Sequence, residues 1–86
     1  NNRSVMQDRE AKIAEAKKLA AARPRDSDAA RNLARTYAFY GQYDAALEWI
    51  GKTIQLGYGD LGSLKVDPVF IGLRDDPRFI QLVGKR

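Results

Sequence analysis

Cysteine and histidine are absent from this sequence of 86 residues. Their absence excludes disulfide scaffolds, thiol chemistry, the usual zinc sites and catalytic triads that use histidine. Long hydrophobic runs are also absent, since none approaches the roughly 20 residues that cross a bilayer, and no membrane partner is expected. What remains is a chain with 44% hydrophobic and 30% charged residues, which is typical of one small globular domain.

The net charge of +4 is unevenly distributed along the chain. The first 25 residues contain seven basic and three acidic residues, whereas residues 26–60 contain three basic and five acidic ones. Because the basic residues are interspersed with acids and form no continuous tract, we interpret them as solvated helix surface. Nucleic acid is therefore not the expected partner, although an RNA-binding helical repeat with salt-sensitive affinity stays open as an alternative.

Strand patterns are lacking, whereas helical patterns are frequent. Spacings of three, four and seven residues relate Ile13, Ala16, Leu19 and Ala20, and Pro24 ends that pattern because the residue before a proline disfavours helical backbone. An all-α fold follows. The predicted helices span 5–22, 28–40, 45–56, 68–74 and 77–84, with a short turn over 60–66.

Residues that favour helix ends support these boundaries. The expected N-caps are Ser4, then Asp26, Ser27 or Asp28, then Asp44, Asp60, Asp67 and Asp76. Gly41 and Gly57 are expected to end the second and third helices in left-handed backbone. Since only Gln42 and Tyr43 separate Gly41 from Asp44, the second and third helices should form an antiparallel hairpin.

The sequence also repeats itself internally. A shift of 34 residues aligns Ile13 with Leu47 and Ala20 with Ile54, and a fixed period of this length is typical of stacked helical arrays. Residues 5–24 are then the second helix of a truncated repeat, and 27–60 are a complete repeat. Because the chain opens with Asn1 and has no signal-peptide core, we interpret it as a piece of a longer polypeptide, which leaves its compartment unknown with the cytoplasm slightly favoured.

The apolar and small positions of the complete repeat carry a family resemblance. They are Leu33-Ala34, Tyr37, Gly41-Gln42-Tyr43-Asp44, Ala45-Ala46-Leu47, Ile50 and Ile54. With these, residues 27–60 resemble a tetratricopeptide repeat (TPR). The two Asp-Pro turns of the tail are similar to a segment that closes TPR arrays in bacterial proteins. The resemblance implies antiparallel hairpins of a right-handed superhelix, a solenoid scaffold for protein binding, with residues 61–86 as a C-terminal cap.

The resemblance also implies a partner-binding groove along the first helix of the repeat. Its candidate residues are Asp28, Arg31, Asn32, Arg35 and Phe39. Arg31 and Arg35 are four residues apart, so their guanidinium groups should project the same way and grip a carboxylate of an acidic peptide. We expect that changing both to glutamate weakens an acidic partner and leaves the fold intact. The alternative is that Asp28 pairs with Arg31 or Arg35 on an ordinary hydrated surface.

Aromatic residues cluster around the predicted hairpin. Tyr37 and Tyr43 fall at helical and turn packing positions and are expected in the core. Phe39, Tyr40 and Trp49 fall partly off the apolar stripes and should be partly exposed. They would anchor a partner or, alternatively, contact the neighbouring repeat or the cap.

Nothing in the sequence indicates catalysis, a cofactor or a metal. The glycines of residues 57–62 do not match a phosphate-binding loop, and no nucleophile is paired with a base. We therefore expect a non-catalytic protein–protein interaction module. The alternative is a C-terminal regulatory or assembly segment of a larger bacterial enzyme or transcription regulator. A homodimer is a further expectation, because the face of Met6, Ile13 and Leu19 lacks its hairpin partner.

Overall fold

A computed structural model of the chain describes the backbone of residues 2–84 and the side chains of residues 7–84. The helical elements are α1 (Asn2–Ala22), α2 (Ser27–Phe39), α3 (Tyr43–Gln55), α4 (Leu61–Val66), a 3₁₀ helix (Pro68–Leu73) and α5 (Pro77–Gly84). Within residues 2–84 there is no strand, and the predicted all-α character of the chain is confirmed. The predicted cap at Ser4 and the side chain of Met6 lie outside the described side chains.

The helix ends follow local chemistry. Asp26 is the N-cap of α2, and its Oδ1 accepts the backbone N–H of Asp28 at 2.9 Å. Gly41 and Gly57 have φ angles of 77° and 101°, so the predicted left-handed helix ends are confirmed. Asp44 was predicted as the cap of α3, and this is wrong. The cap position is Gln42, and Asp44 lies in the first turn, where its negative charge interacts favourably with the positive end of the helix dipole.

Three aspartates cap the short elements of the tail, as predicted. The backbone N–H groups of Ser63, Val69 and Arg78 donate to Asp60, Asp67 and Asp76 at 3.0, 3.1 and 2.9 Å respectively. A proline follows directly after Asp67 and after Asp76, at a first-turn position where the missing N–H costs no hydrogen bond. The helix predicted over 68–74 is a 3₁₀ helix, which is common in pieces this short.

The core is centred on α2, which packs against α1, α3 and the 3₁₀ helix. Across the short turn that joins them, α2 and α3 fold back on each other, and Leu33, Ala34 and Ala46 between them are fully buried. On α1 the buried contacts are alanines, Ala16 and Ala20. Leu19, which was expected on the face of this helix that lacks a hairpin partner, is 41% exposed. Because Ala16 and Ala20 allow α1 to approach α2 closely, the longer side chain of Leu19 lies beside the contact between the two helices.

The tail packs against α2 and α3, with the 3₁₀ helix on α2 and α5 on α3. Its buried side chains are Leu64, Phe70, Leu73, Phe79 and Val83. The rings of Phe70 and Phe79 lie 6.0 Å apart between centroids and join the 3₁₀ helix to α5. Ile80 lies next to Phe79 on the outer side of α5 and is 54% exposed.

Candidate functional site

A groove runs along α2, flanked by α1 on one side and by the 3₁₀ helix on the other. The part between α1 and α2 has a volume of about 540 Å³. The part that reaches the 3₁₀ helix has a volume of about 300 Å³. Both parts are lined by Lys12, Asn32 and Thr36, so they adjoin each other, and we call the two together the α1–α2 groove.

Apolar side chains lie at the two ends of the α1–α2 groove. Leu19 of α1 lines one end, and Phe39 of α2, which is 71% exposed, lines the other. The ring of Phe39 packs edge-on against Tyr40 with centroids 4.9 Å apart, which limits its freedom. A large aromatic side chain that is exposed and held in place is the usual form of a binding anchor.

The five predicted groove residues are divided by the structure. Asn32, Arg35 and Phe39 line the groove. Asp28 is exposed in the first turn of α2, and Arg31 is half-buried, and neither lines the groove.

Arg35 forms an ion pair with Asp67 of the same chain. Its Nε donates to Oδ2 of Asp67 at 2.7 Å, and a second guanidinium nitrogen donates to Oδ1 at 3.4 Å. Burial of Asp67 would by itself raise its pKa. The hydrogen bonds from Arg35 and from the backbone of Val69, together with the charges of Arg35 and Arg31, outweigh burial and lower that pKa below its ordinary value. Arg35 therefore fastens the 3₁₀ helix to α2.

Arg31 contacts the segment that follows α3. Its guanidinium carbon lies 5.4 Å from the centroid of the Tyr58 ring, within cation–π range, and its buried Nε has no hydrogen-bond partner among the described residues. The expectation that Asp28 pairs with Arg31 or Arg35 is wrong, because within residues 7–84 the only ion pair of these arginines is with Asp67. Glutamate at position 35 would face Asp67, so the double change is no longer expected to leave the fold intact.

The cations of the groove that have no ion pair among the described side chains come from α1, whose basic residues were predicted to face solvent. Lys12 and Lys18 line it, with Glu15 between them. Lys12, Glu15 and Leu19 are separated by three and four residues, so they share one helix face beside the Ala16–Ala20 contact. That spacing was readable in the sequence, but the position of α1 beside α2 was not.

No family model, curated protein or solved structure matches this chain. Its function therefore has to be argued from the geometry of its own residues.

The predicted aromatic cluster is only partly in the core. Tyr37 is buried as predicted, whereas Tyr43 is 39% exposed, so its prediction as a core residue is wrong. The Tyr43 ring lies over Gly72, where an added Cβ would be 2.7 Å from the ring carbon Cζ. Trp49 is half-buried and lines a crevice together with residues at the end of α1.

Within the described residues, no three acidic side chains come together in a way that could hold a metal ion. None of the helices described has the length and apolar character that crossing a bilayer requires.

Proposed function

We propose that this protein is a non-catalytic protein–protein interaction module of the TPR type, which binds a peptide or helix of a partner in the α1–α2 groove. The observation that carries this proposal is a pair of adjoining depressions along α2, each lined by one exposed apolar side chain, Leu19 in the first and Phe39 in the second. The internal period of 34 residues and the fully buried Ala34 and Ala46 between α2 and α3 support the TPR assignment.

The groove offers both an apolar anchor and polar positioning groups. Phe39 presents most of its ring to solvent, and burying such a ring is a large part of the binding energy in many interfaces. Asn32 lies at the centre, where both parts of the groove meet, and its amide can donate to and accept from a peptide backbone. The hydroxyl of Thr36 already donates to the carbonyl of Asn32 at 2.8 Å, so it is not counted among these groups.

The partner is expected to be acidic. Lys12 and Lys18 outnumber Glu15 along the α1 side, and the charge of Arg35 is matched by Asp67. Lys12 contacts both parts of the groove, so an acidic residue at the middle of a bound peptide would meet it. Such a charge mainly selects the partner and speeds association.

Peptides selected from a random display library on the immobilised protein test this proposal. Binding of the selected peptides is measured by fluorescence anisotropy for the wild type, for Phe39→Ala and for the matched control Ile80→Ala, which also changes an exposed hydrophobic residue. We expect Phe39→Ala to weaken binding about tenfold or more and Ile80→Ala to have little effect. Equal effects of the two changes would show that the peptides bind elsewhere.

A second pair of variants tests the charge preference. Lys12→Glu should weaken acidic peptides about threefold to tenfold, whereas Lys65→Glu, on the exposed side of α4, should not. Unchanged affinity for Lys12→Glu would remove the acidic preference and leave the groove itself in place.

A further inference from the structure

A second crevice lies where the end of α1, the start of α2 and the middle of α3 meet. It has a volume of about 280 Å³ and shares no lining residue with the α1–α2 groove. We call it the Trp49 crevice, because Trp49 of α3 forms one of its walls.

The floor of the Trp49 crevice is apolar and its residues are buried. Ala20, Ala30 and Leu33 line it and are all buried, with 6%, 2% and 0% of their surfaces exposed. Leu56 adds to the wall beside Trp49. Because the residues supplied by α1 and by the start of α2 are small, the helices approach closely here and still leave a depression. The crevice is more enclosed than either part of the groove.

The rim of the crevice is cationic. Lys17, Arg23 and Lys52 line it, against the single acid Asp26. The carboxylate of Asp26 already has partners. It caps α2, and its Oδ2 lies 3.7 Å from Nη1 of Arg23. Among the described side chains, Lys17 and Lys52 have no carboxylate at ion-pair distance.

Lys52 is held close to the opening. Its Nζ lies 5.6 Å from the centroid of the Trp49 ring, within cation–π range. A buried apolar floor lies below Lys17 and Lys52, which have no ion pair among the described side chains. This combination suits a molecule with an apolar tail and one anionic head.

We propose that the Trp49 crevice binds a small amphiphilic carboxylate, with its tail on the alanine and leucine floor and its carboxylate between Lys17 and Lys52. The volume is near the lower end of small-molecule sites, which suits a ligand of about ten non-hydrogen atoms. This site is independent of the proposed function, because the two openings have no residue in common.

The protein contains a single tryptophan, so its emission reports on this crevice alone. Titration with octanoate should change Trp49 emission and saturate with a dissociation constant of the order of 1 mM, as expected for so small a ligand. Hexanoate should bind about tenfold more weakly, since each buried methylene contributes up to about fourfold. Octan-1-ol and octylammonium, which lack the anionic head, should bind more weakly than octanoate.

Surface variants separate the anion site from a general apolar patch. Lys17→Gln and Lys52→Gln should each weaken octanoate binding about threefold to fivefold, whereas the control Lys65→Gln should not. Since Lys52→Gln also changes the surroundings of Trp49, its affinity is measured by calorimetry, and circular dichroism verifies the fold of each variant. Ala21→Leu, which adds volume at the exposed edge of the crevice, should also reduce binding.

Three results would each overturn the proposal. They are the lack of a saturable response to octanoate at millimolar concentration, equal affinity for octanoate and octan-1-ol, and unchanged octanoate affinity when Lys17 and Lys52 are replaced together.

Discussion

At the scale of single residues, Asp67 joins two distant parts of the chain. It is 9% exposed and accepts hydrogen bonds from Arg35, which is 32 residues away, and from the backbone of Val69. Its lowered pKa means that the ionised form is stabilised by folding. Stability from this group is therefore present above the ordinary carboxyl pKa of about 3.9 and is lost as pH falls through the lower pKa of the folded state.

Asp67→Asn tests this role through pH dependence. We expect a loss of about 1–3 kcal/mol in the free energy of unfolding at neutral pH, because the guanidinium of Arg35 loses its buried partner. Below about pH 4 the difference from the wild type should shrink, since protonation removes the same interaction there. Urea unfolding from pH 7 to pH 2 measures both.

Asp75→Asn, at an exposed carboxylate without an ion pair among the described residues, is the matched control and should change the free energy of unfolding at neutral pH by little. Asp76 contributes in the same direction as Asp67, because hydrogen bonds from Arg78 lower its pKa. Asp76 is present in both variants, so its contribution to the pH dependence of stability cancels when they are compared. A constant offset between Asp67→Asn and the wild type at every pH would contradict the role of Asp67.

Gly72 is required by a neighbour rather than by its own backbone. An alanine Cβ there would lie closer to the Tyr43 ring and hydroxyl than van der Waals contact allows. Gly72→Ala should therefore destabilise the protein by about 1 kcal/mol, since the Tyr43 ring has to move. In a Tyr43→Ala background the same change should cost little, which a double-mutant cycle by thermal unfolding measures. Gly59→Ala, where no atom lies within 4 Å of the added Cβ, is the control. Additive effects would show that the two residues do not interact.

At the scale of helices, Gly41 illustrates a different requirement. An alanine Cβ there would have no atom within 4 Å, so only its φ of 77° opposes substitution. Gly41→Ala should lower the stability by about 1 kcal/mol, and Gly41→Asn by less, since asparagine tolerates left-handed backbone. Thermal unfolding of both variants measures this order. Equal stability of Gly41→Ala and wild type would mean that the turn between α2 and α3 had rearranged.

Local patterns predicted the helices well, and their contacts less well. Caps, prolines and glycines act within a few residues, so the ends of α2 at Asp26 and Gly41 were readable from the sequence. Tyr43 was misplaced because helical spacing gives the side of a helix and not the distance to its neighbour. The pairing of Arg35 with Asp67 was missed for a related reason, since no spacing rule connects residues in separate elements.

The same limit applied to the candidate site. Asn32, Arg35 and Phe39, predicted as partner-binding residues, line the same depression, and their role in binding stays a prediction. The contribution of Lys12 and Leu19 was missed, because it depends on where α1 lies relative to α2. The TPR relationship, the regulatory or assembly role and RNA binding all stay predictions.

At the scale of the whole molecule, the exposed side of α1 predicts self-association. Leu19 is 41% exposed and Ile13 is half-buried, so two copies could cover these side chains against each other. We expect the apparent mass from light scattering to rise with concentration for the wild type and to stay monomeric for Leu19→Glu. Ile80→Glu serves as the control, and a constant mass for the wild type across the series would refute the dimer. Since Leu19 also lines the groove, a dimer would compete with the proposed partner.

The two alanines that form the buried contacts of α1, Ala16 and Ala20, have one more consequence. Methyl groups bury little area, so α1 should detach at lower free energy than α2 or α3, and its amides should exchange with deuterium first. Because α1 forms a wall of both the groove and the Trp49 crevice, its departure would abolish both openings at once. A ligand in the groove and a ligand in the Trp49 crevice would therefore bind with positive cooperativity without contacting each other, since each stabilises α1 in the position that the other site requires.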